Sequence, residues 1–416
     1  MKVFQGVNKR DVFLIILFEI GFGIKFHIIG EISISELFLL YYFITNFFSD
    51  SIRYNKDFNH IFHLYIALLV AQCISEIMVN NRFNNSLKGV SVTIISFCHL
   101  YFLIKVFIKN RLLAMWALVG ILLQGFIFGS DIDGDANDAL SGEDASFLKF
   151  YIAPTITYIL LIYSVLRPKK TTSILFIYIG IFFIIAGARS SGLIVFFTGS
   201  ISWILSNRKR ISKRTVYKYS LFVFIFGYCT YFFYVNNIFS GNIKSGNSKQ
   251  LFRTENPYNP INLLKIGRAE TFVGWQAFMD NPLWGHGSWK LDSETGYKYT
   301  TLRYQIQNWD SEKKIIYLST DRIPCHSVIM GWGTYNGIFV FIIGLLLILF
   351  IYKRGFVALK NFDSMGMLQL FCLLQGSWHA AFSPPSHFRY TLPFYMALFI
   401  VSYWNVQLNQ RKHYLC

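Results

Sequence analysis

The sequence predicts an all-α membrane protein with about twelve transmembrane helices and one large loop on the outer side. Of its 416 residues, 54% are hydrophobic and only 15% are charged, and the apolar residues form long runs. An average soluble domain carries about 25% charged residues, so this chain has too little charge to cover a globular surface in water. A single polytopic membrane domain is therefore expected over residues 1–416.

The apolar runs have the length of membrane-spanning helices, which need about 20 residues each. The first run follows Lys9 and Arg10 and has no small-residue cleavage site, which favours an uncleaved span over a signal peptide. The predicted spans are residues 12–30, 31–48, 61–79, 90–108, 112–129, 149–166, 172–187, 192–206, 219–239, 334–352, 366–382 and 391–407.

The basic residues indicate an orientation rather than a polyanionic partner. The formal net charge is +17, which would suit nucleic acid if the cations shared one soluble face. Instead they lie in short clusters in every second connection, for example in residues 208–218 and 353–360. Because basic clusters stay in the cytoplasm, both termini are expected there and no nucleic-acid partner is expected.

Residues 240–333, between spans nine and ten, form the one long connection, and the same charge rule places it on the outer side. This loop is too polar to span a membrane, is rich in aromatic residues and asparagine, and shows little sign of its own hydrophobic core. Long loops carry function disproportionately often. The chemistry of the protein is therefore expected in this loop and beside it.

Two arginines are candidates for binding phosphate. Arg189 stands in Ala-Gly-Ala-Arg-Ser-Ser-Gly between two closely spaced spans, and Arg268 begins an amphipathic stretch at residues 267–278. A guanidinium stays charged and binds phosphate through two parallel hydrogen bonds. The alternative for Arg189 is that it reaches to the membrane interface, and the alternative for Arg268 is a solvated position on a surface helix.

The amphipathic stretch and the turn after it supply candidate substrate-binding residues. Glu270 and Trp275 lie on the predicted helix, which stops at Asn281-Pro282, and His286 lies in the glycine-rich turn that follows. Arg389, on the last outer loop, is a candidate for a third cation, with anchoring at the membrane interface as its alternative.

His326, near the end of the large loop, is the candidate general base. Imidazole has an ordinary pKa of about 6.5, so a histidine at the membrane surface can accept a proton at neutral pH. The alternative is a hydrogen-bonded interfacial histidine, and His286 and His379 are rival bases. A nucleophilic Cys325 beside His326 is less favoured, because neighbours in an extended chain point in opposite directions.

Charged residues in apolar surroundings are further candidates for function. Glu19 and Lys25 in the first predicted span and Glu76 in the third are compatible with a proton path. Lys25 and Glu76 are close to span ends, which favours reaching to the interface, whereas Glu19 has no such explanation. The acidic stretch 131–138 lacks the ligand spacing of a calcium loop, so no metal site is expected.

In their order, spacing and expected side of the membrane, Arg189, Arg268 and His326 resemble the O-antigen polymerase and O-antigen ligase superfamily, with the polymerases closest. The resemblance covers residues 172–352 and rests on three patterns: Ala-Arg-Ser-Ser-Gly around Arg189, the run from Arg268 to Asn-Pro-Leu-Trp-Gly-His-Gly, and His326-Ser327 before Gly337. The family's loop histidine is often followed by Asn, where this chain has Ser327.

The resemblance implies a GT-C-like fold and a metal-independent, cofactor-free glycosyl transfer at the periplasmic side of a bacterial inner membrane. His326 would be the base, and Arg189 and Arg268 would bind the diphosphate leaving group. The implied partners are an undecaprenyl-diphosphate-linked oligosaccharide, membrane lipid and a chain-length regulator protein. The expected function is O-antigen polymerase; the alternatives are an O-antigen ligase that transfers the glycan to lipid A core, and a twelve-span transporter.

Overall fold

The structure is a computed structural model that describes residues 7–27, 30–129, 148–168, 170–206, 213–241, 251–252, 254, 256–307 and 322–415. It is predominantly α-helical. The helices are α1 (Lys9–Gly21), α2 (Ile34–Asn46), α3 (Lys56–Met78), α4 (Phe83–Lys109), α5 (Leu113–Phe128), α6 (Ala153–Leu166), α7 (Lys170–Ile185), α8 (Arg189–Ser206), α9 (Lys213–Phe239), α10 (Pro260–Gly267), α11 (Ala269–Asp280), α12 (Lys298–Ile306), α13 (Val328–Ala358), α14 (Gly366–Phe382) and α15 (His387–Leu415). A two-stranded antiparallel sheet consists of β1 (Lys25–His27) and β2 (Glu31–Ser33).

A helix occupies each of the twelve predicted apolar segments. Within the described residues, four segments are both long enough and apolar enough to cross a membrane: Lys56–Met78, Phe83–Lys109, Leu148–Leu166 and Val328–Ala358. Many large apolar side chains on the helices are exposed, which fits surfaces that face lipid rather than water. The fold is therefore all-α and compatible with a membrane protein.

The chain divides into two compact units, which we describe separately. The first contains residues 1–23, 112–263 and 359–375, and the second contains residues 24–111, 264–358 and 376–416. In the first unit, α7 and α8 form a tight antiparallel pair because glycines allow close approach. A Cβ at Gly180 would lie 2.5 Å from the backbone nitrogen of Phe196.

The second unit is a bundle in which α13 packs against α3, α15 and α11, and α4 packs against α15. At one end, the carboxylate of Asp57 accepts hydrogen bonds from Arg354 at 2.7 Å and from the Trp404 indole at 3.2 Å. These contacts join α3, α13 and α15. This unit also contains Arg268 and His326, two of the three residues predicted to carry chemistry.

The predicted first span, 12–30, was too long. Helix α1 ends at Gly21, and the following segment forms the β1–β2 hairpin, with Phe26 paired to Ile32. Gly21 and Gly23 weaken a continuing helix, and Lys25 pairs with Glu31 across the hairpin at 3.2 Å. Lys25 is thus bound to a carboxylate of its own hairpin.

The large loop has a hydrophobic core of its own, contrary to the sequence-based expectation. Val273, Ala277, Tyr299 and Ile323 are buried together between α11, α12 and the segment before α13. The helix that contains the tenth predicted span, 334–352, begins earlier than that span, at Val328. The acidic stretch 131–138 lies outside the described residues.

Candidate functional site

Arg268 lies at the break between α10 and α11. Its backbone N–H donates to the Leu264 carbonyl at 2.8 Å, and its φ of −138° ends the helical path before α11 begins. The guanidinium carbon is 5.2 Å from the ring centroid of Trp378, on α14. Burial lowers the pKa of Arg268 and the nearby Glu270 opposes this effect, but a guanidinium remains charged at neutral pH.

His326 immediately precedes the first turn of α13. The hydroxyl of Ser327 accepts a hydrogen bond from the Met330 N–H at 3.1 Å, and donates one to the Ala380 carbonyl at 3.1 Å. The carbonyl of His326 accepts from the Thr271 hydroxyl at 3.0 Å. Helices α11, α13 and α14 thus all fix this short segment.

Ser327 acts as the N-cap of α13, because its hydroxyl accepts a hydrogen bond from the Met330 N–H. Serine and asparagine are both favoured at a helix N-cap, since either side chain accepts a hydrogen bond from the first turn. His326 therefore stands one residue outside the N-terminus of a long helix. The N–H groups of a helix's first turn give that end a partial positive charge, which favours anions.

Two further histidines lie in this region. The imidazoles of His379 on α14 and His387 at the start of α15 stack with centroids 4.0 Å apart and planes at 17°. His379 Nδ1 is 2.8 Å from the Ser383 hydroxyl, and His387 Nδ1 is 2.9 Å from the Thr391 hydroxyl. A hydroxyl can donate or accept, so these contacts do not fix either tautomer.

Electrostatic interactions connect the four basic side chains. The charge of the Arg268 guanidinium interacts with the His379 imidazole, and the charge of His326 interacts with the His387 imidazole. We call Arg268, His326, His379 and His387 the basic cluster. Arg268 and His326 lie at the two ends of this series of contacts, which also includes His387, a residue that sequence reasoning missed. The sequence pattern around His387 gave little indication of a role, since it is a single histidine close to Pro384 and Pro385.

The turn after α11 completes a break in α13. Gly337 has a φ of +77°, and a Cβ there would lie 2.1 Å from the Leu283 carbonyl oxygen. Because the helix is interrupted, the carbonyls of Thr334 and Tyr335 accept hydrogen bonds from His286 and Gly287 at 2.9 and 2.8 Å. Irregular backbone inside a membrane protein is tolerated only where such partners satisfy it.

Glu76, near the end of α3, is the shared acceptor that holds this turn. Its side chain is buried and accepts from the Ser288 N–H at 3.0 Å and the Asn336 amide at 2.9 Å. Its other oxygen accepts from Asn81 at 2.6 Å and Ser86 at 3.0 Å. Glu76 therefore joins three parts of the second unit. The sequence analysis had favoured a side chain that reaches to the membrane interface, and the structure shows instead that Glu76 is buried within the protein.

The other predicted residues of the loop have separate surroundings. His286 Nε2 is 2.8 Å from the Ala277 carbonyl and therefore carries the proton that it donates. Burial lowers the pKa of His286, while the Ala277 contact and Asp280 act in the opposite direction. Trp275 is half-exposed on α11, its ring 6.0 Å from that of Phe278.

Cys325 is buried, and its thiol lies against Thr334 and the backbone of Gly274. Burial raises the pKa of Cys325 to about 12. A thiol that stays protonated is a poor nucleophile, in line with the low weight given to a Cys325–His326 pair.

Arg389 is fully engaged by the protein. It forms an ion pair with the buried carboxylate of Glu36, through Nε and Nη2, and also donates to the Glu31 carbonyl at 2.8 Å. Glu36 is itself the third residue of α2 and closes a capping box with Ser33. The protein's own acceptors thus hold the Arg389 side chain.

Arg189 lies in the first unit, where it is the first residue of α8. The hairpin before it turns at Gly187, whose φ is +99°. The guanidinium carbon is 5.5 Å from the ring centroid of the buried Tyr234 on α9. As with Arg268, an aromatic face covers one side of the cation.

Within the described residues, no group of three or more His, Cys, Asp or Glu side chains is arranged to hold a metal ion. The basic cluster combines one guanidinium with three imidazoles. No known family model and no curated protein matches this chain.

Proposed function

We propose that this protein is an inverting glycosyltransferase that elongates a lipid-linked polysaccharide, with the basic cluster as its reaction centre. The supporting observation is the approach of Arg268, His326, His379 and His387 at the N-terminal end of α13, a candidate membrane span. A donor made of a glycan on a polyprenyl diphosphate presents its negative charge at the membrane surface, where such a cluster binds it.

In the proposed reaction, the hydroxyl oxygen of the acceptor sugar bonds to the anomeric carbon of the donor. The bond between that carbon and the diphosphate oxygen breaks, and its electron pair leaves with the diphosphate. His326 takes the hydroxyl proton, and Arg268 stabilises the charge that develops on the leaving diphosphate. Attack opposite the leaving group inverts the anomeric centre.

Arg268 suits this role because its charge is held by an aromatic face. Within the described residues it has no carboxylate partner at ion-pair distance, so its donors remain for a ligand. Arg189 is proposed as a second diphosphate ligand on the resemblance alone. The chain would act in a bacterial inner membrane, with the centre on the periplasmic side and both termini in the cytoplasm.

The test is reconstitution of the purified chain in lipid vesicles with an undecaprenyl-diphosphate-linked oligosaccharide. The expected product is a ladder of longer glycans that remain on undecaprenyl diphosphate. Transfer of one glycan to lipid A core would identify a ligase instead, and solute flux without a new glycosidic bond would identify a transporter. Long lipid-linked chains in cells that lack this protein would also reject the proposal.

A further inference from the structure

Within the described residues, the second half of α11 and the turn after it carry three large apolar side chains that are about half exposed. Trp275, Met279 and Leu283 follow one another at intervals of four residues and are 47%, 54% and 55% exposed. The opposite side of α11 faces the loop core through Val273 and Ala277. Exposed apolar side chains of this size in a row mark a surface that contacts something other than water. We call these three residues the α11 stripe.

The α11 stripe runs beside α13 in the same direction. At the start, Thr271 contacts the His326 carbonyl, and farther along, the Gly274 carbonyl accepts from the Thr334 hydroxyl at 2.8 Å. At the end, the Pro282 carbonyl accepts from the Ile338 N–H at 2.8 Å. Helix α11 thus accompanies α13 from its N-terminus to the break at Gly337.

Where the α11 stripe ends, an exposed stripe on α13 begins. No side chain from Val328 to Ile338 is exposed. Beyond the break, exposed side chains recur with helical spacing, at Phe339, Ile342, Leu346, Leu349, Lys353 and Phe356. The rings of Trp284 and Phe339 touch at the junction, with centroids 5.8 Å apart. The two stripes therefore form one apolar surface that passes from α11 to α13.

The exposed apolar stripe on α13, which begins at Phe339, is too short to cross a membrane alone. From Phe339 to Lys353, the first exposed charged residue, there are 14 residues (353 − 339), or about 21 Å of helix. The hydrocarbon core is about 30 Å thick. The missing ~9 Å corresponds to about six residues, which places the other boundary near Gly333.

Gly333 is the place where α11 covers α13, because a Cβ there would lie 2.9 Å from the Phe278 ring. At this level the surface that faces outwards belongs to α11. We propose that the second half of α11 and the start of its turn are seated in one leaflet of the bilayer, with Met279 and Leu283 against acyl chains and Trp275 at the headgroup level.

The occupant is the lipid of the bilayer itself, since the α11 stripe continues a surface on a membrane-spanning helix. Tryptophan is enriched at the level proposed for Trp275. The polar side of the helix supports the same placement: Gln276 donates to Asp280 at 3.1 Å, and Asp280 pairs with the exposed Lys298 at 2.7 Å. This inference does not depend on the proposed reaction.

Spin labels test the placement directly. In a background with Cys73, Cys229 and Cys416 replaced by serine, a nitroxide is attached to Met279→Cys or Leu283→Cys, with Gln276→Cys as the matched control on the polar side. The full chain is reconstituted in vesicles of phosphatidylethanolamine and phosphatidylglycerol. Collision rates with oxygen, which concentrates in lipid, and with a water-soluble nickel chelate are then measured.

We expect labels at Met279 and Leu283 to collide several-fold more with oxygen than with nickel, and the label at Gln276 to show the reverse. Equal nickel access at all three positions overturns the proposal. If Met279→Cys does not fold, Leu283→Cys alone decides. Quenching of tryptophan fluorescence by brominated lipids is an independent measurement. The brominated lipids should quench the part of the fluorescence that is lost in Trp275→Phe. If that part of the fluorescence is not quenched in brominated lipid, the proposal is also overturned.

Discussion

Two half-buried arginines of the second unit, Arg389 and Arg268, have different surroundings. Arg389 lies against the Glu36 carboxylate and a backbone carbonyl, so the protein itself satisfies its charge and its donors. Arg268 lies over the Trp378 ring beside a group of imidazoles. A ring face stabilises a cation without using its N–H groups. Arg389 therefore has the features of a structural cation, whereas Arg268 keeps donors for an external anion.

The same distinction, between side chains bound by the protein itself and side chains of the basic cluster, applies to the histidines and to Glu76. His286 donates to a carbonyl of its own loop, whereas His326 and His387 belong to the basic cluster. Glu76 accepts four hydrogen bonds from the protein. The comparison thus predicts losses of activity around Arg268 and losses of stability around Arg389.

The largest effect is expected for Arg268→Ala. Removing one preorganised donor to a developing negative charge costs about 100- to 1,000-fold in rate, so polymer should fall by that factor while the amount of folded protein stays constant. Arg268→Lys should recover part of the rate, since it keeps the charge but not the paired donors. The measurement is glycan chain formation by the reconstituted protein.

Arg322→Ala is the matched control, because the guanidinium carbon of Arg322 also lies over a tryptophan, 5.4 Å from the Trp289 ring centroid, but outside the basic cluster. It should leave polymer formation unchanged. An equal loss in both variants would mean that stacking on a ring, and not a place in the cluster, is what matters.

His326→Ala is expected to reduce the rate by about 100-fold or more, the usual contribution of a positioned base. Single-turnover transfer from a saturating donor isolates the chemical step. His387→Ala should reduce it less, because His326 and not His387 takes the acceptor proton in the proposed reaction. If His326→Ala keeps full activity and His379→Ala loses it, the base is His379.

Arg389→Ala should act on stability. It strands the buried carboxylate of Glu36, and breaking a buried ion pair by removing one partner costs about 3–5 kcal/mol. Lower thermal unfolding temperature in detergent and lower protein yield are the measurements. The double variant Arg389→Met with Glu36→Gln should recover most of the loss, since glutamine preserves the capping box of α2. If the Arg389→Ala protein is as stable as the wild type but forms no polymer, Arg389 has a role in the reaction, as proposed for Arg268.

Glu76→Gln should have a smaller effect on stability. The new amide group faces the donors of Asn81 and Ser86, while the remaining oxygen still accepts from Ser288 and Asn336. A buried donor left without an acceptor costs about 1–3 kcal/mol. Glu76→Ala, which removes every acceptor, should be the less stable variant in the same unfolding measurement; equal stability of both would show that Glu76 does not hold the turn.

Hydrophobic run lengths predicted where the helices lie, because each run is a local property of the chain. Their ends were harder. The first predicted span overran because the Lys25–Glu31 pair forms only in the folded hairpin, and α13 starts early because Ser327 caps its first turn.

The site was predictable in part for the same reason. Arg268 and His326 stand out in the sequence by residue type and position. The partners of Glu76 do not: Ser288 follows it by 212 residues and Asn336 by 260. The stacking of His387 on His379 and the core of the large loop likewise depend on contacts between different helices, which no local pattern encodes.

The smallest effect concerns His286 and its pH dependence. Because burial lowers the pKa of His286 in the folded protein, the unfolded chain binds this proton first as the pH falls below about 6.5. Stability is then lost progressively until the lowered pKa of His286 in the folded protein is reached.

His286→Gln removes this titration but keeps a donor for the Ala277 carbonyl. Its thermal unfolding midpoint should therefore fall less between pH 7.5 and 5.5 than that of the wild-type protein, while polymer formation at neutral pH stays intact. A variant that loses polymer at neutral pH would move His286 from the structural group to the basic cluster, and the distinction drawn from the two arginines would not extend to histidines.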